Sequence, residues 1–347
     1  MKAEFSPRKE AARLYKAALL TNSGSSMRIR FLVAGLATLV ALGSAGYGTH
    51  QRGDYNKYVD LAINEHGPNI NFVYVPQFFR DEPGHFSVAI DADMPRKYSD
   101  YVRSVYAFLA RVSNRTVDFE MVSAGALMKA DRFVYVGSDP SNDVDPHTFQ
   151  SPFAAKLRSS LSRIYPNEND EIYWSILNLY LPGYYGRPLF FNSDFATMDF
   201  KRAQSEKTYS LKSNRIEKAA VYVNVPPIPD APEQDVERFT KFIIIQEIFQ
   251  EYNVAPDING SDFQLKTILN DNDGALLDTR GVETMRGAYN TASSALCPYD
   301  VMLTSQLHAR PNANPEPVGL LTYLGLYAQA YWYRFTSPSD LFDDRCW

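Results

Sequence analysis

The chain has 347 residues, 45% hydrophobic, 22% charged and 14% aromatic, a balance that builds one large core or two modest ones and excludes a disordered chain. Its formal net charge is −5 and its sequence pI about 5.6. No Lys/Arg block is long enough to follow a phosphate backbone, so nucleic acid is excluded as the expected partner.

In chain order, residues 1–26 read as an upstream mis-start or a cytoplasmic stub, with Met27 the better start. Arg28 and Arg30 precede an apolar stretch from Phe31 to Leu42, followed by the small residues Gly43, Ser44, Ala45 and Gly46. A basic flank, a short apolar run and small residues make residues 27–46 a signal peptide, or an uncleaved signal anchor with the arginines inside. The run is shorter than the roughly 20 apolar residues of a membrane span. Either way the body is expected outside the cytoplasm, periplasmic or extracytoplasmic, with residues 31–46 anchoring it to the inner membrane if they are retained. No Cys follows the apolar run, so a lipidated N-terminus is not expected. The Arg52-Gly53-Asp54 tripeptide is read as incidental.

Globular patterning starts at residue 69. Phe72–Val75 and His85–Ile90 are rich in β-branched and aromatic residues and predict strands. Pro95–Asn114 predicts a helix, with Tyr98, Tyr101, Val102, Val105, Phe108 and Leu109 at helical spacing. Thr116–Val122 alternates as a half-buried strand, and Phe133–Gly137 is another. Asp139, Ser141, Asp143 and Asp145 alternate as in a calcium loop, but Val144 stands where Gly is needed and Gln150 where a bidentate Glu is needed, so a solvated loop is expected. Phe153–Tyr165 is helical in pattern. The aromatic stretch through Tyr180, Tyr184, Tyr185, Phe190 and Phe191 fits no clear element and reads as a cleft wall or a core segment.

Ala219–Val225 predicts a strand, followed by a stiff connector at Pro226, Pro227, Pro229 and Pro232. Asp230 is placed to cap a helix running to about Tyr252. Further helices are predicted over Cys297–His308 and Val318–Phe335, the last apolar nearly all round and so expected to be buried. The whole is an α+β domain over residues 69–347: a mixed sheet with helices on one side in residues 69–225, and a mostly helical part in residues 226–347. Cys297 and Cys346 form one disulfide in an oxidising compartment or stand as two separate thiols.

Chemistry concentrates in Gln246-Glu247-Ile248-Phe249-Gln250. A zinc peptidase of the His-Glu-x-x-His type sets two imidazoles one helical turn apart and uses the Glu as general base. Here the apolar lead-in and Glu247 are in place, but both imidazole positions carry carboxamides, which are poor ligands for Zn²⁺. The remaining candidates for a cleft are Asp257, Asp300 and His308. The other histidines, His50, His66, His85 and His147, show no ligand spacing, and no P-loop, dinucleotide or serine-hydrolase signature occurs.

The order of strand, Pro-rich connector, Glu-centred helix, Asp257, Asn270-Asp271 and then Cys297-Pro298-Tyr299-Asp300 resembles a proteobacterial domain of unknown function, often catalogued as a lipoprotein and placed near the zincin-like metallopeptidases. The resemblance covers residues 215–310, and more weakly the part from residue 69. The chain departs from it in lacking the lipid-attachment Cys and in carrying Gln246 where the family often has Glu. The resemblance implies a zincin-like fold, and Gln246 and Gln250 imply a site that has lost its metal. The expectation is a pseudo-metallopeptidase with no cofactor, binding an envelope protein or peptide, with Glu247 a remnant general base. Two alternatives stand beside it: a metal-dependent hydrolase using Glu247 and zinc in a non-standard ligand shell, and a purely structural envelope protein.

Overall fold

The structure is a computed structural model. It describes residues 45–64, 84–123, 130–138, 186–191, 218–225, 231–253, 255, 258, 267–269, 294–309 and 316–347. The expected signal segment up to residue 44, the strand at Phe72–Val75, the calcium-like loop from Asp139, the helix at Phe153–Tyr165, Tyr180 to Tyr185, Asp230, Asp257 and Asn270-Asp271 lie outside the described residues. The chain divides into two compact units, residues 1–53 and 54–347. The first is described only from Ala45, where helix α1 (Ala45–Asn64) begins.

In the second unit the elements follow as β1 (His85–Asp91), α2 (Arg96–Val112), β2 (Thr116–Val122), β3 (Arg132–Gly137), β4 (Gly186–Phe191), β5 (Lys218–Asn224), α3 (Glu233–Asn253), α4 (Pro298–Ala309) and α5 (Leu320–Phe335). The strands form one sheet in the order β2-β1-β3-β5-β4. The first four are mutually parallel and β4 runs antiparallel to β5. The α+β class with a mixed sheet is therefore what the chain adopts.

Burial explains which strands sit where. Strand β2 alternates between exposed and half-buried positions and lies at an edge. The central strands β3 and β5 are buried along nearly their whole length, as expected of parallel strands covered on both faces. Strand β4 carries Pro188, which has no N–H to give a ladder and is tolerated at the edge that β4 occupies.

Helix α2 packs against β2, α3 packs against β5 and β4, and α2 and α3 pack against each other. Two helices that touch each other and the same sheet share one face of it. That face carries Phe86, Val88, Ile90, Val134, Val136, Val221 and Val223 into a common core with Val102, Val105 and Leu109 of α2 and Ile244, Ile248 and Phe249 of α3. On alternate positions the sheet stacks Tyr135 on Tyr222, ring centroids 5.9 Å apart.

The C-terminal segment is stapled to the start of α4. Leu296 pairs with Phe342 in an isolated bridge, its N–H donates to Leu341 O at 3.0 Å, and its carbonyl accepts from Asp343 N and from the Trp347 indole at 2.9 Å. Next to it Cys297 and Cys346 are joined in a disulfide across a sequence separation of 49.

One expectation fails in this region. The helix expected to be buried, α5, buries only Tyr323 and Ala330. It packs against α4, with Leu324, Leu326, Tyr327, Tyr331 and Tyr333 half-buried against the core, while Leu321, Trp332 and Phe335 are exposed. Apolar composition all round a helix reports burial only when neighbours exist on every side.

Candidate functional site

The Gln-Glu-x-x-Gln motif lies two-thirds of the way along α3. From Phe239 onward this helix has almost no exposed side chain, and Gln246, Glu247 and Gln250 are 6%, 7% and 5% exposed. These three side chains are therefore buried. Strand β4 covers Glu247. At its first residue, Gly186, an added Cβ would stand 2.5 Å from Ile243 Cγ2, 2.6 Å from Glu247 Cγ and 2.9 Å from Glu247 Oε1. No side chain fits there, so glycine is the residue that lets the edge strand cross directly over the Glu247 carboxylate.

Among the described residues, Asp300 and His308 are held by other partners. Asp300, a candidate for a cleft, is fully buried and caps α4 instead. Its Oδ2 accepts from Cys297 N at 2.7 Å, the reach-back bond of a capping box, with Pro298 in the first helical position. The same carboxylate accepts from Thr267 Oγ1 at 2.6 Å, from Ile268 N at 3.0 Å and from Tyr58 Oη at 3.1 Å. Burial pushes its pKa up to about 7 against the pull of these hydrogen bonds. His308 stands near the other end of α4 with its ring against Tyr252, centroids 5.1 Å apart. Among the described residues no group of three or more His, Cys, Asp or Glu side chains could hold a metal ion.

A second polar cluster, which the sequence reading missed, lies one turn beyond the motif. Glu251 of α3 and Arg132 of β3 form an ion pair at 3.1 Å, with side chains 0% and 1% exposed. The same carboxylate accepts from Tyr106 Oη of α2 at 2.9 Å. The guanidinium lies over the rings of Phe86 and Tyr252, at 4.4 and 4.9 Å from their centroids, and the Tyr252 hydroxyl pairs with Ser113 at the end of α2. The strand register puts Arg132 beside Val88 and Ala219 on the helix-covered face. The cluster thus ties β3, α2 and α3 together through groups drawn from all three. Nothing local in the sequence marks Arg132, because its partner is 119 positions away.

Four buried polar side chains thus follow one another along α3, Gln246, Glu247, Gln250 and Glu251, with Glu247 under β4 and Glu251 paired to β3. Comparisons with protein-family models, with curated proteins and with solved structures return no match.

Proposed function

We propose that the protein is an exported, non-catalytic binding domain of zincin-like descent, which takes a peptide or a segment of another envelope protein along strand β4. The observation that carries this reading is the position of Glu247 directly beneath that strand at Gly186, with buried carboxamides at both imidazole positions of the motif. A helix holding the relic of a metal motif under the edge of a mixed sheet is the layout a zincin-like resemblance implies. Loss of both imidazoles and closure of the space around Glu247 remove the chemistry while leaving the edge strand.

Strand β4 is the last strand of the sheet among the described residues. An edge strand presents a row of backbone N–H and C=O groups that an extended peptide can pair with, and this mode supplies affinity without any catalytic group. The export part of the reading rests on residues 27–46 and is supported by the disulfide of Cys297 and Cys346, which persists only in an oxidising compartment.

The test combines three measurements on the purified protein. Peptides selected from a displayed random library should slow amide hydrogen exchange in residues 186–191 and emerge uncleaved, and elemental analysis should find well under one equivalent of zinc. Stoichiometric zinc together with peptide hydrolysis, both lost in Glu247→Ala, would replace this reading with the metal-dependent hydrolase. The absence of any selected peptide, with no hydrolysis, would favour the purely structural role.

A further inference from the structure

The carboxyl group of Asp300 joins three stretches of chain that are separate in sequence. Tyr58 Oη of α1 donates to its Oδ1 at 3.1 Å, and Thr267 Oγ1 donates to the same oxygen at 2.6 Å. Ile268 N lies 3.0 Å from Oδ2 and Cys297 N, at the start of α4, 2.7 Å from it. Asp300 is 0% exposed, and no lysine, arginine or histidine among the described residues pairs with it. A buried carboxylate with no counter-charge carries a desolvation cost that hydrogen bonds offset only in part.

The four donors differ in what a proton on this group does to them. The N–H groups of Ile268 and Cys297 can only donate, and they serve Oδ2. The hydroxyls of Tyr58 and Thr267 serve Oδ1 and can turn to accept. A neutral Asp300 protonated on Oδ1 therefore keeps its partners, with one hydroxyl reversed. Burial raises its pKa to about 7 against the pull of the hydrogen bonds, so the closed interior favours the neutral form. The titratable groups around it do not compete for the proton. Tyr58 faces it directly, and Tyr55 and Tyr299 pack on Tyr58 with ring centroids 6.3 and 5.8 Å away. Burial holds all three phenols far above their ordinary range.

Tyr58 is the part of this enclosure contributed by a separate helix. Cys297 is tied to Cys346 by the disulfide, so the cap of α4 stays with the body. The other polar ties of α1 to the body, Tyr55 to Gln306 and Asn56 to Val318, are between uncharged groups and keep the same strength whatever the pH. The bond from Tyr58 is the one that ends on a titrating group. Loss of the proton leaves an ionised Asp300 in a closed space, and movement of α1 away from it admits the water that the charge requires. We propose that residues 54–64 of α1 are a proton-controlled latch, held shut over Asp300 while that carboxyl is neutral and opened more often as it ionises.

Native-state hydrogen exchange of the purified full chain tests it, run at about pH 5, 6.5 and 8 in low urea and corrected for the intrinsic exchange rate. Amides of residues 54–64 should exchange through an opening of their own, easier than the global unfolding that β3 and β5 report. Its equilibrium constant should rise more than about ten-fold from the lowest pH to the highest, in keeping with the shift of Asp300. Asp300→Asn should make that opening independent of pH, and the wild-type profile decides alone if this variant does not fold. An opening of α1 equal at both ends of the range overturns the proposal. So does an α1 that exchanges only together with the sheet, or a pH-dependent opening confined to residues 267–269.

Discussion

Arg132 on strand β3 reaches Glu251 in the last turn of helix α3, its Nη1 lying 3.1 Å from one carboxylate oxygen and 3.2 Å from the other, in a place that water does not enter. Two charges taken this far from solvent depend on each other, because either one alone would bear its desolvation cost unaided. Arg132→Met should therefore lower stability by about 3 to 5 kcal/mol. The double change Arg132→Met with Glu251→Leu should recover most of that loss, since no charge is then left behind. Denaturant unfolding of the four members of the cycle measures the coupling. A double variant as unstable as the sum of the singles would show that the pair contributes no mutual term.

The buried amides of the motif make a sharper test of site against packing. Gln246→His with Gln250→His puts two imidazoles into space shaped for carboxamides, 6% and 5% exposed. Each buried polar group left unsatisfied costs about 1 to 3 kcal/mol. The pair should thus lower the melting temperature by on the order of 10 °C or more for several kcal/mol lost. Zinc affinity should stay poor, since a zinc site needs a positioned third ligand and a supporting second shell besides the two imidazoles. Thermal melts with and without zinc read both outcomes, and a zinc-dependent rise in melting temperature would contradict the expectation.

Asp300 gives the fold a pH dependence. Its folded pKa is raised by burial from 3.8 to about 7. Between those values the folded chain holds a proton that the unfolded chain has released, so stability falls as pH rises from about 4 to 7 and levels off above. The total is on the order of 4 kcal/mol. Asp300→Asn removes the titrating group and should flatten the wild-type slope in that window, at the cost of part of the α4 cap. Urea midpoints at four or five pH values suffice, and parallel slopes in the two proteins would show that Asp300 does not titrate there.

The disulfide between Cys297 and Cys346 closes a loop across a separation of 49 residues. On loop-entropy grounds it should contribute roughly 4 kcal/mol by restricting the unfolded chain. Paired Cys297→Ser and Cys346→Ser substitutions, or reduction of the wild type, should lower the unfolding free energy by about that amount. Differential scanning calorimetry under oxidising and reducing conditions is the check.

Much of the sheet and its helices is legible because local pattern and final environment agree. Strands β1, β2, β3 and β5 stand out by β-branched and aromatic content, and α2 by its apolar period. Strand β4 does not, because Pro188 argues against a strand wherever the ladder must continue, and only its place at the edge makes it acceptable. Helix α1 also goes unread. Its glycines Gly46, Gly48 and Gly53 weaken the helical signal, although Tyr55, Tyr58, Val59 and Ala62, all buried, do fall at helical spacing. At the candidate site, the motif is plain in the sequence, but the close cover over Glu247 comes from Gly186, some sixty residues upstream. The Arg132–Glu251 pair is invisible because it is made across 119 residues by two side chains with no motif around either.

Helix α1 also bears on the timing of folding. Tyr55 Oη donates to Gln306 and Tyr58 Oη to Asp300, contacts that join positions 251 and 242 residues apart, and Asn56 bonds Val318 across 262. A chain appears from its N-terminus, so α1 is made early, and these bonds form only once α4 and the segment before α5 have followed. Contacts across so long a loop form slowly, and a nascent chain halted before residue 300 would have its sheet and its first helix in hand without these bonds.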